Sequence, residues 1–159
     1  PLKYKRLNLE ELESLKDEFI QFLASNSITA DDWLSLKANT PEKAYHLIDL
    51  FSDIVWEKVI SKTVYLEIVR KNGIQVFYFG QTMAEMIQIS SSNVEYDFRE
   101  GKFLKILCEG RVGHASLDIH KGTKEYSISR GDEVFSVLEK KAAPISKEKY
   151  TKLKQIVNK

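Results

Sequence analysis

Apolar positions near the start of the chain recur at helical spacing, with Leu9, Leu12, Leu15, Phe19, Phe22 and Leu23 sharing one face to about Ala24. Asn8 and Glu11 stand three apart, the spacing of a capping box, which predicts a helix beginning at Leu9. Thr29 and Asp32 repeat the signal for a short second helix carrying Trp33, Leu34 and Leu36. Thr40-Pro41 opens a third, since proline is tolerated at the first helical position. That helix is predicted to run to about Ser61 and to bury Ala44, Leu47, Ile48, Phe51, Val55 and Val59. The first and third helices are expected to pack as a pair with the second between them.

At Thr63 the period changes from helical to alternating, and Asn72-Gly73 predicts a tight hairpin with positive φ angles at its turn. Such a turn sets Val69 opposite Val76, Ile68 opposite Phe77, Glu67 opposite Tyr78 and Leu66 opposite Phe79. Val64, Leu66, Ile68, Phe77 and Phe79 then form a core face against the helices. The other face, Tyr65, Glu67, Val69, Ile74, Val76 and Tyr78, is more apolar than a solvated face needs to be, and predicts a cover from this chain or another. Further alternating runs at Met86 to Ser90, Val94 to Phe98, Phe103 to Cys108, His114 to His120 and Lys124 to Ser129 extend a meander. Thr82 to Glu85 also fits a single helical turn, and Phe103 to Cys108, apolar on both faces apart from Lys105, reads as a central strand. Asp132 is placed to cap a helix through Val134, Phe135, Val137 and Leu138 ending at Lys140-Lys141. Ala142-Ala143-Pro144 breaks it, and Ser146 caps a last helix with Tyr150, Leu153, Ile156 and Val157 on one face. This terminal pair is the natural cover for the second sheet face.

The resulting expectation is an α+β fold: N-terminal helices, a central antiparallel β-meander of about six or seven strands, and a C-terminal helical pair. No linker or repeat divides the chain, so residues 1–159 are read as one domain: a helical segment at 1–62, an antiparallel sheet at 63–131 and C-terminal helices at 132–159. With 43% apolar and 30% charged residues and a net charge of +1, the chain has the composition of an ordinary globular protein. No apolar run reaches the roughly 20 residues of a membrane span, and one cysteine, Cys108, cannot form an internal disulfide. A reduced, cytoplasmic protein is the expectation.

Charge is unevenly placed. Residues 1–62 hold eight Lys or Arg against eleven Asp or Glu, while residues 132–159 hold seven Lys against four acids. Asp49, Asp53 and Glu57 follow one another at i, i+4 and form an acidic stripe on the third helix, which reads as a solvated or ion-paired face or, alternatively, as a surface for partner recognition. Tyr65, Val69, Val76 and Tyr78 on the semi-apolar sheet face are the other candidate partner-binding residues. Lys147, Lys149, Lys152 and Lys154 give the last helix a face able to contact RNA phosphates, or to pair with acids of the same chain. A Lys/Arg-Gly-aromatic strand motif of RNA binders is absent, as is any DNA-binding motif.

On the run from His114 to His120 the alternation points Ala115, Leu117 and Ile119 inward and His114, Ser116, Asp118 and His120 outward. Two histidines six residues apart on a strand lie roughly 20 Å apart and cannot share a metal; Asp118 and His120, about 7 Å apart, supply at most two ligands. They mark the place for an unfamiliar enzyme site. Arg130-Gly131-Asp132 reads as a strand-to-helix turn rather than an adhesion signal. No P-loop, dinucleotide fingerprint, zinc pair or nucleophile elbow occurs, and neither cofactor nor metal is expected.

Three segments carry a family resemblance: Tyr4-Lys5-Arg6-Leu7 leading into Glu10-Glu11-Leu12; Glu18 to Ala24 followed by Ile28-Thr29-Ala30-Asp31; and Pro41-Glu42-Lys43-Ala44 continuing to Leu50 through Val55. Phe135 to Leu138 and Ile145-Ser146 add an echo. These resemble an uncharacterised family of short cytosolic bacterial proteins, a domain of unknown function with no assigned activity, so the resemblance carries over no catalytic residues. From the missing catalytic signatures, the semi-apolar sheet face around Tyr65 and Tyr78 and the opposed acidic and basic surfaces, the leading expectation is a non-enzymatic protein-protein interaction or accessory subunit with an unidentified cytosolic protein as partner. The alternatives are an RNA- or ribosome-associated protein using the lysine-rich helix, and an enzyme with a site near Asp118 and His120.

Overall fold

A computed structural model describes residues 2–158; Pro1 and Lys159, the last of the C-terminal lysines, lie outside the described residues. It is a mixed α+β structure with seven α-helices and one five-stranded antiparallel sheet among the described residues, and it divides into two compact units at Ser61 and Lys62.

The first unit is built from α1 (Leu9–Ser14), α2 (Lys16–Ser25), α3 (Ala30–Asn39) and α4 (Pro41–Lys62, whose last residue begins the second unit). The capping boxes of Asn8 with Glu11 and Thr29 with Asp32 form as their spacing predicts, and α4 starts at Pro41. The single first helix predicted from the leucine spacing is two helices, interrupted at Leu15 (φ −109°, ψ 24°). There the Ser14 hydroxyl donates to the Glu11 carbonyl at 2.7 Å, competing with Leu15 N–H for it. Helices α2 and α4 meet through Phe19 and Phe22 against Phe51, with ring centroids 5.0 and 5.5 Å apart, and α3 brings Trp33 edge-on to Phe19. Val59 is exposed rather than buried, because the helix turns Ile60 inward in its place.

The second unit holds β1 (Tyr65–Arg70), β2 (Gly73–Phe79), β3 (Met83–Ser90), α5 (Gly101–Cys108), β4 (Asp118–Glu125), α6 (Arg130–Leu138), β5 (Ala143–Pro144) and α7 (Lys147–Val157), with strand order β4-β3-β2-β1-β5. The β1–β2 register is two residues away from the predicted one: Leu66 faces Phe77 and Glu67 faces Val76. Lys71 and Asn72, not Asn72 and Gly73, make the turn, and no positive φ is used there. Their carbonyls accept from Phe98 N–H and Ser91 N–H, which anchors the turn against the chain that follows β3. A two-residue shift preserves side-chain parity, so the predicted faces stand although the pairs do not. Gly73 serves close approach: a Cβ there would lie 3.0 Å from both Ile89 O and Ser90 Cβ of β3.

The meander has five strands instead of six or seven. Phe103 to Cys108 is α5, because Phe103, Leu104, Leu107 and Cys108 also share one helical face, leaving Lys105 and Ile106 exposed. Val94 to Phe98 forms turns around fully buried Phe98. Thr82 to Glu85 is no helical turn, since β3 begins at Met83. His114–Ser116 is a short 3-10 helix that leads to β4, and Lys124 to Ser129 adds no separate strand because β4 continues to Glu125. Ser129, not Asp132, caps α6, accepting from Asp132 N–H. Ala143–Pro144 pairs with β1 as an edge strand, where a missing N–H is tolerated.

Helix α7 packs Tyr150, Leu153 and Ile156 into a cluster with Ile74, Val76, Ile87 and Ile89 of the sheet, joined by Leu107 of α5. The semi-apolar face is thus covered within the chain by α7 with α5. Helix α6 lies on the opposite side, next to Phe77 and Phe79, so the terminal helices take opposite faces. On that side Leu66, Ile68 and Phe79 are buried as expected, whereas Val64 is exposed.

Candidate functional site

The acidic stripe is occupied by the chain's own start. Both oxygens of Asp53 accept from the backbone amides of Lys3 and Tyr4, at 2.8 and 3.0 Å. Glu57 accepts from Lys3 Nζ and Tyr4 Oη, both at 2.8 Å, and Arg6 clamps Asp49 through two nitrogens. Between these, Trp56 Nε1 donates to Lys5 O, and Leu7 N–H donates to the buried Ser52 hydroxyl. The strap's cations hold Asp49 and Glu57 below the usual carboxylate range, chiefly through the hydrogen bonds from Arg6 and Lys3.

The sheet-face candidates lie under α7. Val76 is buried, Val69 is half-buried, and the rings of Tyr65 and Tyr78 pack with Tyr150 at 5.1 and 6.2 Å. The lysines of α7 are largely committed to carboxylates: Lys149 to Glu67 at 2.6 Å, Lys154 to Glu85 at 3.0 Å and Lys152 to Glu148 at 3.2 Å. Lys147 is exposed. Glu85 is buried, and also accepts from the Tyr150 hydroxyl. Burial pushes its carboxyl up, but the bonds from Tyr150 and Lys154 prevail and hold it below the ordinary value. Burial and the same contact raise the Tyr150 phenol.

Asp118 and His120 stand exposed on the edge strand β4; His114 and Ser116 belong to the 3-10 helix, so the four do not share one strand face. No group of three potential metal ligands occurs among the described residues. Cys108 ends α5 rather than sitting on a core strand, and burial raises its thiol, which favours the unreactive form. Arg130 opens α6 and donates to the carbonyls of Thr63, Phe79 and Gly80, a structural role for the Arg-Gly-Asp triplet.

A broad apolar concavity lies in the helical unit. A groove of about 670 Å³ opens between α1–α2 and α3, floored by Phe19, Leu23, Trp33 and Ile48. Its apolar surface continues outward through Leu9, Ile20 and Leu34, which are 86%, 52% and 59% exposed. A second hollow of about 420 Å³ lies between α6 and the Phe77 face, with Glu133 and Lys124 paired at 2.8 Å beside it.

A family model described as a family of unknown function, DUF6495, matches residues 2–158. The chain belongs to DUF6495. No curated protein and no solved structure matches it. The DUF6495 match extends the resemblance from the N-terminal third to nearly the whole chain, and it assigns no activity to any residue. In this DUF6495 chain the groove is the feature that sequence reasoning missed. Its signal was present in Glu18-Phe19-Ile20-Gln21-Phe22-Leu23, where four apolar residues in five positions make a stripe wider than one neighbouring helix covers.

Proposed function

We propose that this protein is a non-enzymatic recognition protein, an interaction or accessory subunit of the cytosol, that engages another protein through the groove of its helical unit. The groove carries the reading. Single exposed leucines are ordinary on protein surfaces, but Leu9, Ile20 and Leu34 ring one apolar concavity, and contiguous apolar surface of this kind marks interaction sites. A small molecule would bury most of itself within the hollow and leave that rim wet; a protein surface covers floor and rim together. The Tyr65–Tyr78 face and the Asp49–Glu57 stripe add less support, since elements of the same chain already occupy them. RNA association through α7 draws less support for the same reason.

The test is a photo-reactive amino acid placed at Leu34, and at exposed Val94 as a control, in the full chain inside its own cells. The expected result is a discrete cross-linked protein from position 34, none from position 94, and loss of the product when Ile20→Asp is added. Equal products from both positions, or none from Leu34, sink the proposal.

A further inference from the structure

We infer that the groove's occupant is an amphipathic α-helix of a partner protein whose apolar face is edged by acidic residues. The inference rests on the groove reading above and adds the partner's chemistry.

The form of the occupant follows from hydrogen bonding. The walls are helices whose backbone groups are bonded internally, and the connecting loop is also satisfied: Ile28 N–H donates to Leu23 O and Thr29 N–H to Asp32. No strand edge is offered to an extended peptide. A segment entering this apolar surface must satisfy its own amides, and a helix does so.

The charge of the occupant follows from the rim. Lys16 on α2 and Lys37 on α3 stand on opposite walls, against Glu13 alone. Neither lysine forms an ion pair with a carboxylate among the described residues, so both ammonium groups are available to a partner. Lys37 lies 5.7 Å from the Trp33 ring centroid, which keeps its ammonium at the groove's edge. Acidic residues flanking an apolar face would meet both cations; basic ones would be repelled by them.

Two capped 18-residue helical peptides with the same leucine face, one edged with glutamate and one with lysine, test this by calorimetry on the full chain. The glutamate peptide is expected to bind at least tenfold more tightly at low salt, with the gap closing as salt rises. Lys16→Glu with Lys37→Glu should reverse the preference. Leu34→Asp, an exposed position whose fold is checked by circular dichroism, should abolish binding of both. Equal affinities that still depend on Leu34 overturn the acidic-partner inference and leave the groove reading standing, whereas no binding by either peptide overturns the inference. A dimer in ultracentrifugation that Leu34→Asp dissolves assigns the groove to a second copy and also overturns it.

Discussion

Ser52 shows how much a small polar side chain contributes when it is fully buried. Its hydroxyl donates to Ile48 O at 2.7 Å and accepts from Leu7 N–H at 3.0 Å, so one residue of α4 both bonds its own helix and receives the strap. Ser52→Ala leaves a buried amide without an acceptor and should cost about 1–3 kcal/mol, read from the urea midpoint. Glu85 makes a pH-dependent contribution. Its folded carboxyl titrates below the ordinary 4.5, so the ionised form stabilises the fold above that value. That stability is lost as pH falls below 4.5 and through the lower folded value. The wild-type urea midpoint should therefore drop on acidification in this window, and Glu85→Gln should flatten the drop while starting from a lower stability at neutral pH. Equal slopes in the two proteins would show that Glu85 does not carry this acid sensitivity.

At the scale of elements, the strap over residues 3–7 is an irregular segment, bent at Lys3 and Tyr4, held by α4 through side-chain acceptors rather than by secondary structure. Asp53→Ala removes the acceptor of two successive amides and should free the backbone that follows the already exposed Lys3, Lys5 and Arg6. Limited trypsin digestion should then cut the strap several-fold faster, with the second unit's core unchanged; an unchanged rate would mean that Arg6 and Glu57 suffice. The contrast between caps and strap also explains what the sequence discloses. Asn8, Thr29 and Ser146 bond amides three residues away, so their signals are local and readable. Asp49, Asp53 and Glu57 are legible as a solvated or ion-paired stripe, but their partners lie 43 to 54 residues upstream, where no periodicity reveals them. The α5 segment failed for a different reason: a six-residue run that is apolar except for Lys105 fits both periods, and tertiary burial of Leu107 chose the helix. Gly73 was noticed for its turn, yet its requirement is set by β3 across the sheet. Gly73→Ala should accordingly destabilise by about 1–3 kcal/mol through crowding rather than through φ, measured by thermal unfolding.

Over the whole molecule, part of the opposed charge of the two chain ends is spent inside its own unit. The acids of α4 take the strap, and the lysines of α7 take Glu67 and Glu85 from the sheet beneath them. A net charge of +1 leaves little long-range field to attract a polyanion. This distribution makes the RNA alternative quantitative. Each phosphate contact on a single strand adds about −0.7 to the slope of log affinity against log salt. Lys147 with exposed Lys140 and Lys141 offers roughly three contacts, for a slope near −2 and an affinity no tighter than about 10⁻⁴ M at physiological salt. Filter binding to a uridine homopolymer across a salt series checks both quantities. Lys149→Gln and Lys154→Gln should lower the urea midpoint, because they remove the ammonium paired with Glu67 and one of the cations paired with Glu85, while barely changing the RNA curve. A slope near −3.5 that those two substitutions return to about −2 would reverse the conclusion. It would mean that α7 gives up its carboxylates to bind phosphate, and that its lysines, rather than the helical groove, carry the principal function.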